Sequence, residues 1–158
     1  MVIKRKIKSS KARVLPMIKL KNEVNKFIKL IDSKIKTKKF LKSMYATKAK
    51  LRYKTKFDKY IDNITNDTTY EGVLTLYIDA YLLPKGKEKM TSKYVFTFEF
   101  KKPNKIVIYV DDKNNTSHIG NGYVTLKELF SNKFINTLLY EGLEEYSYPN
   151  SDKIHFSF

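Results

Sequence analysis

TNDTTYEGVLTLYIDAYLLP, residues 65–84, decides the fold, because the hydrophobic period changes inside it. Residues 65–72 gather Asn, Asp, Thr and Gly, the chemistry of a turn. From there Leu74, Leu76, Ile78, Ala80 and Leu82 alternate with Thr75, Tyr77, Asp79 and Tyr81. That period of two predicts a strand with one buried face, ended by Pro84. Beyond the turn PKGKEK (84–89), Tyr94, Phe96, Phe98 and Phe100 alternate with Val95, Thr97, Glu99 and Lys101. Pro103-Asn104 then separates a third strand over 105–111, with Ile106, Ile108 and Val110 on one face. Three strands in succession with short connections predict an antiparallel meander.

Further along, residues 111–122 form a polar loop. Thr125 and Glu128 make a capping box, and Ser131 caps a helical stretch to about residue 145. Its Leu126, Leu129, Phe130, Phe134, Leu138 and Leu139 supply a face that lies on the sheet. Ile154, Phe156 and Phe158 alternate in a closing strand.

Toward the N-terminus the period is helical. Leu20, Val24, Phe27, Ile28, Ile31 and Ile35 form one stripe, predicting a helix over 17–36 opened by Pro16. Phe40, Leu41, Met44 and Tyr45, continued by Tyr53, Phe57, Tyr60, Ile61 and Ile64, predict a second helix over 38–63. Within it ATKAKLRYKTK (46–56) alternates briefly and is read as a helix joint. The expectation is an α+β chain of order ααβββαβ: two basic N-terminal helices, then a three- to four-stranded antiparallel sheet carrying one helix. Residues 1–64 are the basic helical region and 65–158 the sheet domain, together one compact unit.

Charge divides the chain at nearly the same place. Residues 1–60 hold 21 Lys+Arg against three acids, a net of +18; residues 61–158 hold 11 against 13, a net of −2. The sum is the overall +16. Such asymmetry points to a polyanionic partner. Only Arg5, Arg13 and Arg52 are arginine, so the surface is built of point charges suited to phosphate proximity more than to base reading. The densest cluster, Lys34, Lys38, Lys39, Lys42, Lys48, Lys50, Arg52, Lys54 and Lys56, is the expected contact. The interleaved Phe40, Tyr45, Tyr53, Phe57 and Tyr60 offer optional stacking or simply core.

A hydrophobic share of 42% is that of an ordinary globular protein. No apolar run reaches the ~18–20 residues of a membrane span, and the basic start lacks the apolar core of a signal peptide. Cysteine is absent, which rules out disulfides and thiolate metal sites and fits a reducing compartment. A cytoplasmic location is the expectation.

Catalytic signatures are sparse. Asp79 with Glu99-Phe100-Lys101 resembles the loose pattern of the PD-(D/E)XK nucleases, and the element order is similar to their core. That resemblance implies two carboxylates on a divalent cation and a lysine that orients water. The carboxylates lie on the first and second strands here, however, not on the second and third as in that family. A shifted match, Glu99 with Asp111-Asp112-Lys113, does fit the strand numbering, and the sequence leaves no choice between the two. The loop DDKNNTSHIGNG resembles a calcium loop only in part: Ser117 replaces the required glycine and Tyr123 the bidentate glutamate. His118 and His155 lack companions at metal-ligand spacing, and no glycine-rich phosphate loop is present. Neither a metal nor a cofactor is expected.

The reading is a non-catalytic binding protein whose lysine-rich N-terminal helices engage nucleic acid or a nucleic-acid-processing enzyme. By size and composition the chain also resembles small accessory proteins of phages and mobile elements of low-GC bacteria, including anti-CRISPR inhibitors. That likeness covers no motif, so it assigns no residues. It implies a bacterial host cytoplasm and direct contact with a nuclease or its bound nucleic acid. A metal-dependent nuclease is the remaining alternative. The protein is expected as a monomer, or as a weak dimer paired through residues 153–158.

Overall fold

A computed structural model describes the backbone of residues 2–101 and 105–148, and the side chains of 15–100 and 105–148. The chain is α+β, with N-terminal helices followed by an antiparallel sheet and small helices. Helix α1 (Val2–Ile35) is followed by a short helix α2 (Lys38–Ser43). Five strands come next: β1 (Ala46–Ile61), β2 (Thr68–Leu82), β3 (Lys89–Lys101), β4 (Lys105–Asp112) and β5 (Gly122–Thr125). Short helices α3 (Leu126–Leu129) and α4 (Asn132–Asn136) precede a π-helical turn at Thr137–Glu141 and a 3₁₀ turn at Leu143–Glu145. The sheet is a pure meander, β1-β2-β3-β4-β5, every neighbour antiparallel.

The helical stripe and the strand alternation meet in one core. Leu20, Val24, Phe27, Ile31 and Ile35 are fully buried, and so are Leu74, Leu76, Phe96, Phe98 and Ile108 on the facing sheet. Phe27 is the keystone: its ring stands edge-on to Phe96 at 4.9 Å and to Phe130 at 5.9 Å, linking α1, the sheet and the C-terminal helices. Each such aromatic contributes ~1.5–3 kcal/mol by burial. Both N-caps form: Thr125 Oγ1 accepts from Glu128 N at 3.2 Å and Ser131 Oγ from Phe134 N at 3.1 Å, while the Glu128 carboxylate of the expected box accepts from the Tyr146 hydroxyl. The closing strand at 154–158, His155 and the pairing through 153–158 lie outside the described residues.

Three expected elements change. Helix α1 runs through Pro16 instead of opening there; the preceding Lys, Arg and Ala residues are good helix formers. The predicted helix over 131–145 is broken into α4, the π-helical turn and the 3₁₀ turn, with Gly142 at φ +96° between the last two. The largest correction concerns 38–63. Only Lys38–Ser43 is helical there, and Ala46–Ile61 is a sixteen-residue edge strand paired with β2 from end to end, save for a register shift between Ala46 and Lys48. The helix stops because Tyr45 takes φ +51°, a left-handed conformation that no helix interior accepts. Beyond it Thr47, Tyr53, Thr55, Phe57, Tyr60 and Ile61 favour a pleated strand. A helix would also stack Lys48 on Arg52, Lys50 on Lys54 and Arg52 on Lys56 as like-charged pairs four residues apart.

Candidate functional site

The pairing of β1 fixes the direction of every cation on it. Ala49 is buried on the helix-covered inner face, and Leu51 and Phe57, at odd-numbered positions like it, pack against the core. Positions 48, 50, 52, 54 and 56 therefore project from the opposite, outer face. All five are basic, Lys48, Lys50, Arg52, Lys54 and Lys56, and all are exposed. They stand in one row about 6.8 Å apart, ~27 Å from end to end.

Their neighbours across the ladder are largely aromatic or neutral. Lys48 faces Tyr81, Lys50 faces Asp79, Arg52 faces Tyr77, Lys54 faces Thr75 and Lys56 faces Val73. Lys48 and Lys50 lie over the Tyr81 ring at 4.8 and 5.9 Å. Arg52 lies 4.5 Å over Tyr77, which Lys93 of β3 also approaches at 5.7 Å. These rings hold the cationic heads by their π faces.

Arg52 is held from a second side. Its Nε and a terminal nitrogen donate to the two Asp79 oxygens at 2.6 and 3.1 Å, and Thr91 Oγ1 donates to the same carboxylate at 2.6 Å. Asp79 is 2% exposed. The Arg52 hydrogen bond holds its carboxyl below the usual range, against the opposing effect of burial. The same bond raises the Arg52 guanidinium above its ordinary value.

The row ends in acid. Beyond Lys56 the next outward positions are Asp58 on β1, Glu71 on β2 and Glu99 on β3, directly opposite one another across the ladders. Lys56 reaches Asp58 at 3.7 Å. The Tyr60 hydroxyl beside them is raised, first by its hydrogen bond to Glu71.

The nine expected contact residues therefore divide. Five form the β1 row. Lys34 sits in the last turn of α1, and Lys38, Lys39 and Lys42 belong to α2. Lys39 lies over the Tyr140 ring at 4.8 Å, on the helical side of the molecule. The nuclease candidates are not assembled. Glu99 pairs with Glu71, eight residues along β2 from Asp79, a separation of ~27 Å. Asp79 is engaged by Arg52 and Thr91, and the Lys101 side chain lies outside the described residues. In the shifted match Asp111 faces Val95, four residues from Glu99. Among the described residues, no group of three or more His, Cys, Asp or Glu side chains is placed to hold a metal.

The loop between β4 and β5 is organised by its own side chains. Asp112, 4% exposed, accepts from Asn114 N at 2.9 Å, from its Nδ2 at 2.8 Å and from Asn115 Nδ2 at 3.1 Å. His118 is exposed in that loop. Sequence reasoning passed over Tyr77, Tyr81 and Lys93 as parts of the site. The available signal was the strict alternation of cations from 48 to 56, which only a strand turns into one line. Among the described residues no helix is long and apolar enough to cross a membrane. No family model, no curated protein and no solved structure matches this chain.

Proposed function

We propose that this is a non-catalytic binding protein that engages nucleic acid through the outer face of its sheet. The observation that carries the reading is the row Lys48, Lys50, Arg52, Lys54 and Lys56, five cations in register on one exposed strand face. Its spacing is comparable to that of successive phosphates along one strand, and lysine is suited to phosphate as a point charge. Aromatic rings of β2 hold three of these heads in place, which lowers the ordering cost of binding. Lysines on an edge strand also oppose edge-to-edge association, but that role requires no alignment with Tyr77 and Tyr81.

The test is fluorescence anisotropy of a labelled oligonucleotide against the protein and a Lys48→Glu/Lys50→Glu/Lys54→Glu/Lys56→Glu variant. These side chains are exposed, so circular dichroism should be unchanged while affinity falls by about a hundredfold or more. Equal affinity in the two proteins removes the proposal. Polyglutamate competing as well as the oligonucleotide, charge for charge, would reassign the partner to an acidic protein surface.

A further inference from the structure

Among the described residues the outer face carries one continuous line of cations, that of β1, and this bears on the form of its ligand. Across the sheet from Lys54 and Lys56 the ladders run through Thr75 and Val73 on β2, then Val95 and Thr97 on β3. All four are half-buried and uncharged. Thr97 continues to Tyr109 on β4, whose ring packs 4.8 Å from that of Tyr123. A duplex would lay its second phosphate line over this neutral band or against Asp111, which faces Val95. Lys89 and Lys93 extend positive charge onto β3 level with Lys48 and Arg52, through Tyr81 and Tyr77, and leave the Lys54–Lys56 half of the row without cations across from it.

Resting on the nucleic-acid reading above, we propose that the ligand is a single strand whose backbone follows β1 and whose bases lie over β2 and β3, its course closed by the acidic pair Asp58 and Glu71. Unpaired bases offer flat, weakly polar faces that half-buried Val and Thr side chains accept. A duplex hides those faces in its stack. The carboxylates of Asp58 and Glu71 stand where the next phosphate along β1 would fall, and like charge rejects it. Lys105 shares the outer face by register but lies on β4, three strands from β1, and does not extend the β1 line. With Arg52 engaged by Asp79, the row accommodates about four phosphates, one per lysine, as in a strand of about five nucleotides.

The experiment uses the full chain with labelled deoxythymidine oligonucleotides of increasing length, a mixed-sequence single strand, and the duplex of that strand with its complement. Affinity should rise with oligonucleotide length to about five nucleotides and then level, and the duplex should bind at least tenfold more weakly than the single strand. In Asp58→Asn/Glu71→Gln the plateau should move to longer oligonucleotides by about two nucleotides. Duplex binding as tight as single-strand binding overturns the proposal, and so does a plateau that the double variant leaves in place. Both of those results leave nucleic-acid binding itself standing; failure to bind any of the probes overturns the proposed function as well.

Discussion

Arg52 of β1 grips Asp79 of β2 through two hydrogen bonds, 2.6 and 3.1 Å long, while its guanidinium lies 4.5 Å over the ring of Tyr77. One residue thereby joins the cationic row to a buried carboxylate and an aromatic ring. The arrangement also means that Arg52 is largely neutralised, so the four lysines around it carry the net charge of the row.

Asp79→Asn should separate these two consequences. The depressed carboxyl contributes stability that is present above the unfolded carboxyl value of ~3.9 and lost as pH falls through the lower folded value. Urea denaturation should therefore show the variant less stable than wild type at pH 7, with the gap closing below about pH 4. The same substitution frees Arg52 and should tighten oligonucleotide binding. A stability gap that is constant from pH 7 to pH 3 would contradict the assigned ion pair.

The class of fold was legible because β2, β3 and β4 alternate cleanly and α1 carries a continuous apolar stripe. The strand β1 was not, and the reason is local. Tyr53, Phe57, Tyr60, Ile61 and Ile64 sit at helical intervals, yet Tyr53, Tyr60, Ile61 and Ile64 are exposed and only Phe57 packs on the core. Their spacing was a coincidence of residues placed on both faces of a strand and in the turn beyond. What settles the structure is pairing with β2, a contact between residues distant in sequence that no local window sees. Strand β5 escaped for a simpler reason: four residues are too few to show a period. Of the candidate site, the alternation of cations over 48–56 was visible in the sequence, but it was assigned to a helix, and the four cations of α1 and α2 do not join its row.

Phe27→Ala should be among the most damaging single changes, costing ~3–5 kcal/mol as a core aromatic truncation. It removes the ring that touches both Phe96 and Phe130. Chemical denaturation checks it, and a loss below 1 kcal/mol would mean that α1 does not anchor on β3 as described.

At Gly72 a Cβ would stand 2.7 Å from Phe57 Cε1 across the β1–β2 ladder. Gly72→Ala should displace the Phe57 ring and destabilise by ~1–3 kcal/mol, as overpacking does. Combining it with Phe57→Leu should recover part of that loss. An additive outcome would show that the ring is not the obstacle.

The separation of Asp79 from Glu99 carries a prediction about chemistry. Plasmid incubated with the protein and magnesium or manganese should remain uncut. Cleavage that disappears in Glu99→Ala would instead establish a nuclease centre and displace the binding reading.

The most direct test of the central claim is the salt dependence of single-strand binding by wild type and by Lys48→Gln/Lys50→Gln/Lys54→Gln/Lys56→Gln. If four to five phosphates are neutralised, the logarithm of the affinity should fall against the logarithm of salt with a slope of about −3. The variant should lose nearly all of that slope together with its affinity. Binding indifferent to salt, or a slope that survives removal of the four lysines, would show that this row is not where nucleic acid is held.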